Sequence, residues 1–419
     1  MFSIKINQIF ALLFYAIIFF LPYIQLGLNI GPFKLTISDS LLIILFILLL
    51  SNLYVNTRLM PLFVATLVFI STTSLSIINA INLSITLLSL LPWVYGIIII
   101  LTTGIMLKII PEEILLKRIR DIFVISITLS AIPYYLTFFS LYSFPQLFYN
   151  ESFGRYMYFT INPNQYMVYV VVGFFIIFLI DIRYNYKEHF NIIFILSVFL
   201  VLPALASGSK TGFLSITLII LLSYIFSLRY SSKKILKFVV PLILFSSLSL
   251  NSLIFDFIGS DYYFMRAFSV FDIVSSNNDQ IISALGEVEG STGHSIKKGL
   301  ELFFNHPILG LGLGNFMEYN NGTELHNSAV SILVETGILG LLSLLFLIFS
   351  VIKSIFSKGI IGGITSLQIF SLSFFLFFLI MNIPHILIRE RWTWLFLCIL
   401  CLLNEKYIIA IKKKQIHLP

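Results

Sequence analysis

His326 is the residue whose type and position most directly offer chemistry. It is followed by Asn327 and Ser328, and then by an apolar run long enough to cross a bilayer. A histidine at that boundary sits near a helix N-terminus, where the positive end of the helix dipole favours the uncharged imidazole. An uncharged imidazole can take a proton from a hydroxyl near neutral pH, the step that defines a general base. The plainer reading of the same residue is an interfacial histidine that caps the helix.

Upstream, 307–315 read Pro-Ile-Leu-Gly-Leu-Gly-Leu-Gly-Asn. Glycines at 310, 312 and 314 permit positive φ and close approach of the backbone. Such a turn can cradle a phosphate or sugar, or it can let a loop turn tightly under the following helix. It is not a dinucleotide-binding fingerprint, because no strand precedes it. Asn162-Pro-Asn-Gln165 is a second polar turn that fits either a sugar site or a helix cap.

A third set is cationic: Arg155, Lys210, Arg266, Arg389 and Arg391, with Lys297 and Lys298. Guanidinium and ammonium groups are what a pyrophosphate leaving group needs. Each alone also fits snorkelling or headgroup contact. Glu335 lies about 13 Å along a helix from His326, at a depth where a carboxylate must face protein or a wet cavity, and it reads as structural. Glu301, Glu318 and Glu324 read as solvated. No HxxxH, DxD or CxxC pattern points to a metal, and Cys398 and Cys401 fall inside an apolar run as packing residues.

What positions these groups is a membrane framework. Of 419 residues, 58% are hydrophobic and 11% charged, less than half the charge of an ordinary soluble domain. This excludes a soluble enzyme and predicts an all-α, polytopic integral membrane protein. Twelve apolar runs are long enough to span, near 9–26, 36–52, 60–78, 84–107, 121–142, 164–181, 190–206, 211–228, 235–256, 327–351, 360–384 and 392–411. With the N-terminus inside, 18 of the 26 Lys and Arg fall in cytoplasmic segments, so both termini are expected to be cytoplasmic. The net charge of +7 is thus a topology signal, with no support for nucleic-acid binding. The expected organisation is spans one to nine in 1–256, a large outer loop in 257–326, and spans ten to twelve in 327–419. Within the loop, 294–305 puts Ile296, Leu300, Phe303 and Phe304 on one helical face, suited to the membrane surface or to the roof of a cavity.

The segment 306–345 resembles the bacterial O-antigen ligase/polymerase family. The likeness lies in His306-Pro307, Gly310, Gly312 and Gly314-Asn315-Phe316, then His326-Asn327, Glu335, Gly337 and Gly340. The outer turn Ser207-Gly-Ser-Lys-Thr-Gly-Phe-Leu is similar to that family's S-R-g-x-l-l turn, and the large loop before the histidine also matches. The resemblance covers the second half of the chain; the first half agrees only in consisting of spans. It implies a metal-independent, cofactor-free glycosyltransferase acting on an undecaprenyl-pyrophosphate-linked glycan, with His326 as the base that activates the acceptor hydroxyl. Arginines would bind the pyrophosphate. Lys210 stands where the turn arginine is usual, keeping the charge without the bidentate geometry. His294 stands where a second arginine is usual and is cationic only when protonated, so Arg266, Lys297 and Lys298 are alternatives.

The expected reaction is inverting transfer at the outer face of a bacterial cytoplasmic (inner) membrane, polymerising oligosaccharide repeat units into O-antigen or capsular polysaccharide. The expected pyrophosphate contacts are Lys210, Arg266, Arg389, Arg391 and His294. The expected glycan contacts are Asn327, Gly312, Gly314, Asn315 and Arg155. Expected partners are the lipid-linked oligosaccharide, the bilayer, a chain-length regulator and a flippase. One alternative is ligation of the glycan to lipid A core. Another is a flippase of lipid-linked sugars, although transporters tend to carry internal repeats and broken helices, and neither is visible in the sequence.

Overall fold

The computed structural model describes residues 2–30, 33–138, 149–150, 155–156, 158–160, 163–184, 199–200, 203, 294–322, 325, 327–356, 366–381 and 390–403. Of these, 81% are helical. Four helices are long and apolar enough to cross a membrane: Met60–Asn79, Leu83–Ile109, Glu112–Leu136 and Ser328–Phe356. Shorter apolar helices cover Ile6–Phe20, Ile37–Asn52, Gln165–Ile177 and Arg391–Leu403. Each of the eight falls on a run expected to span. The runs at 211–228 and 235–256 lie outside the described residues, as does nearly all of 190–206.

The described helices are α1 (Phe2–Phe20), α2 (Ile37–Leu49), α3 (Met60–Ser74), α4 (Leu83–Ile109), α5 (Glu112–Ser130), α6 (Ile132–Phe138), α7 (Pro163–Tyr184), α8 (His294–Asn305), α9 (Phe316–Tyr319), α10 (Ser328–Phe356), α11 (Ser366–Met381) and α12 (Arg391–Leu403). Two antiparallel hairpins join them, β1 (Gly27–Ile30) with β2 (Phe33–Thr36), and β3 (Tyr149–Asn150) with β4 (Arg155–Tyr156). The chain forms two compact units, 1–17 with 27–116 and 279–419, and 18–26 with 117–278. The two units interleave along the sequence.

In the first unit α3 packs along α10, α4 lies against α2, α3 and α12, and α8 lies on α10. Lipid provides no hydrophobic drive between helices, so close approach of small residues and interhelical hydrogen bonds must hold them. The sequence provides both. The Thr72 hydroxyl donates to Ser343 Oγ at 2.8 Å across the α3–α10 seam. Gly96 lets the Trp394 indole lie directly on α4, where Trp394 meets Trp93 edge to face, and Trp93 in turn meets Phe69 at 4.2 Å. In the second unit, tyrosine hydroxyls tie helices to turns: Tyr23 donates to Ser126 O and Tyr169 to Leu21 O.

One element departs from the expectation of unbroken spans. Inside α10, Gly337 has φ 68° and ψ −169°, so the helix is two helices meeting at a break. Hydropathy reads straight through it, because a single glycine does not interrupt an apolar run.

Candidate functional site

The break in α10 is where the two halves of the 306–345 motif meet. A helix interrupted at Gly337 orphans the carbonyls of Val334 and Glu335 and the N–H groups of Ile338 and Leu339. The glycine turn supplies all four partners. Leu311 N–H donates to Val334 O at 3.1 Å and Gly312 N–H to Glu335 O at 2.9 Å, while Ile338 N–H donates to Pro307 O at 2.9 Å and Leu339 N–H, more loosely, to Ile308 O at 3.4 Å. Irregular backbone at membrane depth persists only where protein satisfies it in this way.

Glycine is required on both sides of the splice. Gly337 occupies a conformation open essentially to glycine alone, and a Cβ there would lie 2.2 Å from Ile308 O. Gly310, at φ 71°, passes so close to α10 that a Cβ would lie 2.4 Å from the Glu335 carbonyl carbon. The turn thus packs tightly against the helix that follows.

Gly312, Gly314 and Asn315, expected as glycan contacts, face the α3–α4 connection. A Cβ on Gly312 would strike Ala80, and one on Gly314 would strike Ser89. Asn315 is fully buried; its Oδ1 accepts from Asn82 N–H at 2.8 Å and its Nδ2 donates to Thr86 Oγ1 at 2.6 Å. Asn79 Nδ2 donates to Gly310 O, and Leu313 N–H donates to Ser76 Oγ. Asn82 meanwhile caps α4 by accepting from Ile85 N–H. This is a polar seam inside the protein.

His326 lies outside the described residues, but both its neighbours are fixed. Leu325 is buried with Leu311, Phe316 and Val334, and α8 covers that cluster with Ile296, Leu302 and Phe303. Asn327 Oδ1 accepts from Val330 N–H at 3.0 Å, and Asn327 O accepts from Ser331 N–H. Asn327 therefore caps α10, the task that the plainer reading had given to His326. Glu335 is buried within α10.

Among the expected cations, Lys210, Arg266 and Arg389 lie outside the described residues. His294 opens α8, and Arg155 lies in β4 opposite Asn150. Arg391 is committed within the first unit: its Nε meets Asp39 Oδ1 at 2.5 Å, its terminal nitrogen donates to Lys34 O, and the guanidinium stands 5.9 Å from the Tyr95 ring centre. Asp39 was not singled out from sequence, although Thr36-x-x-Asp39 is a legible capping box, and the structure forms it. Of the two loop lysines, Lys297 is exposed and Lys298 donates to Tyr319 O.

Among the described residues no three His, Cys, Asp or Glu side chains gather as a metal site would need. No family model matches this chain, and a search of curated proteins finds no relative.

Proposed function

We propose that this chain is a metal-independent, inverting glycosyltransferase of twelve spans. It polymerises undecaprenyl-pyrophosphate-linked repeat units at the outer face of a bacterial cytoplasmic membrane. His326 takes the proton of an acceptor hydroxyl, the oxygen attacks the anomeric carbon of the donor, and pyrophosphate leaves on its lipid. Lys210, Arg266 and Arg389 bind that leaving group, with His294 as a further candidate, while Arg391 serves the framework through Asp39. Electrostatic stabilisation of the departing charge is the largest contribution such cations make.

The observation that carries the reading is the joining of the motif halves. Residues 307–312 are hydrogen-bonded into 334–339, which brings together the parts of the motif that precede and follow His326 in sequence. Asn327 caps the helix, and in this reading the His326 imidazole has the chemical task. The test is elongation of a purified lipid-linked repeat unit by the protein in proteoliposomes without any ion gradient. A ladder of longer products supports the proposal, and an unchanged single unit removes it. Deleting the gene separates polymerase from ligase: the first leaves single repeat units on the surface lipid, the second leaves none.

The break at Gly337 favours one other reading. Discontinuous spans are the binding elements of many transporters. A flippase of lipid-linked sugars would move the unit between leaflets in the same proteoliposomes and elongate nothing.

A further inference from the structure

Helix α8 grips the connection between α9 and α10. Ser295 and Gly299 follow one another on one face of α8 at i and i+4. Ser295 Oγ accepts from Asn320 Nδ2 at 3.1 Å, and both residues are buried. One turn along, the Lys298 ammonium donates to Tyr319 O. Gly299 lies bare against the apolar cluster: a Cβ there would stand 2.6 Å from Leu325 Cδ1, 3.3 Å from Val334 Cγ2 and 3.5 Å from Phe316 Cε2.

Leu325 carries the consequence of that close approach. Its side chain is buried in the cluster, and its carbonyl accepts from Asn327 N–H at 2.9 Å. That bond runs from i+2 to i and closes a three-residue turn around a single position, 326. Asn327 is itself tied to α10, through the N–H groups of Val330 and Ser331. A displacement of Leu325 therefore passes through one peptide bond into the residue that follows it.

We propose that Gly299 is a positioning residue for the base of the proposed reaction. Its missing side chain lets Leu325 seat against α8, and the seated Leu325 fixes where the next residue stands. This rests on the reading of His326 as that base. Two physical points separate the role from plain packing. The atom nearest an added Cβ is the far end of a flexible side chain, so a methyl group is accommodated by moving Leu325 and α8 stays docked. Alanine is also the better helix former. Gly299→Ala should thus shift Leu325 and leave the helix at least as stable.

The experiment compares wild type, G299A and the double variant G299A/L325V in proteoliposomes supplied with a lipid-linked repeat unit. Valine lacks the Cδ atoms that the new methyl would strike. Misplacement of a reacting group by about 1 Å costs up to about a hundredfold in rate. G299A should therefore lower kcat by about ten- to a hundredfold, with KM unchanged and the melting temperature not lowered. Adding L325V should recover most of that loss. A G299A variant as fast as the wild type overturns the proposal, as does a kcat that L325V leaves depressed. A lower melting temperature with kcat retained also overturns it, because Gly299 then only packs.

A second readout needs no turnover. With Cys398 and Cys401 changed to serine, a nitroxide on H326C should give a spectrum that G299A alters and that L325V returns toward the original. A spectrum that G299A leaves unaltered overturns the proposal whatever the rates. A wild type that elongates nothing removes the catalytic reading itself, and Gly299 then has no base to position.

Discussion

At the scale of single residues, the polar side chains of the first unit hold backbone and charge in place. Asp39 is the clearest case. It completes the cap of α2 and neutralises Arg391, whose side chain is only 13% exposed. Removing one partner of such a pair leaves a buried charge, so Asp39→Asn should lower stability by about 3–5 kcal/mol. Thermal unfolding in detergent measures this, and the reversed pair Asp39→Arg with Arg391→Asp should recover part of the loss. Asn315→Ala should cost about 1–3 kcal/mol, because Asn82 N–H and Thr86 Oγ1 then lose a partner in a buried seam. An unchanged melting temperature in either variant contradicts the framework role. Sequence alone made Arg391 conspicuous as a cation on the side where cations are sparse. It could not show what holds it, because Asp39 is 352 residues away and only the fold brings them together.

At the scale of elements, the splice between the glycine turn and α10 makes the sharpest predictions. Gly337→Ala forces a residue with a Cβ into a glycine-only conformation against Ile308 O, and should destabilise the protein by about 2 kcal/mol or more. Gly310→Ala should behave alike. Gly322 is the internal control: its φ is also positive, but nothing lies within 4 Å of an added Cβ, so Gly322→Ala should melt closest to the wild type. Equal melting of all three variants would contradict the splice. The four helices long and apolar enough to cross a membrane were legible, because hydropathy responds to runs of about twenty residues. The break was not, although both its ends lie in the motif that drew notice. Periodicity cannot tell a glycine that packs between helices from one that ends a helix.

At the scale of the whole molecule, the account rests on helices that cross a bilayer in a fixed sense. The orientation expected from cation bias has the turn after α2 inside and the α3–α4 connection outside. Ser51→Cys and Ile81→Cys, both at exposed positions, test this with a membrane-impermeant maleimide. Ile81→Cys should label in intact cells and Ser51→Cys only after permeabilisation. The reverse pattern would invert the topology, and labelling of both in intact cells would mean that α3 does not cross. The catalytic claim hangs from this framework at one point, His326, whose neighbours are fixed on either side by Leu325 and Asn327. The most direct measurement is therefore the rate at which purified protein in proteoliposomes elongates a lipid-linked repeat unit, wild type against His326→Ala. Loss of a general base predicts a rate lower by about a hundredfold or more, with the melting temperature unchanged. A variant that elongates glycan as fast as the wild type would contradict the account.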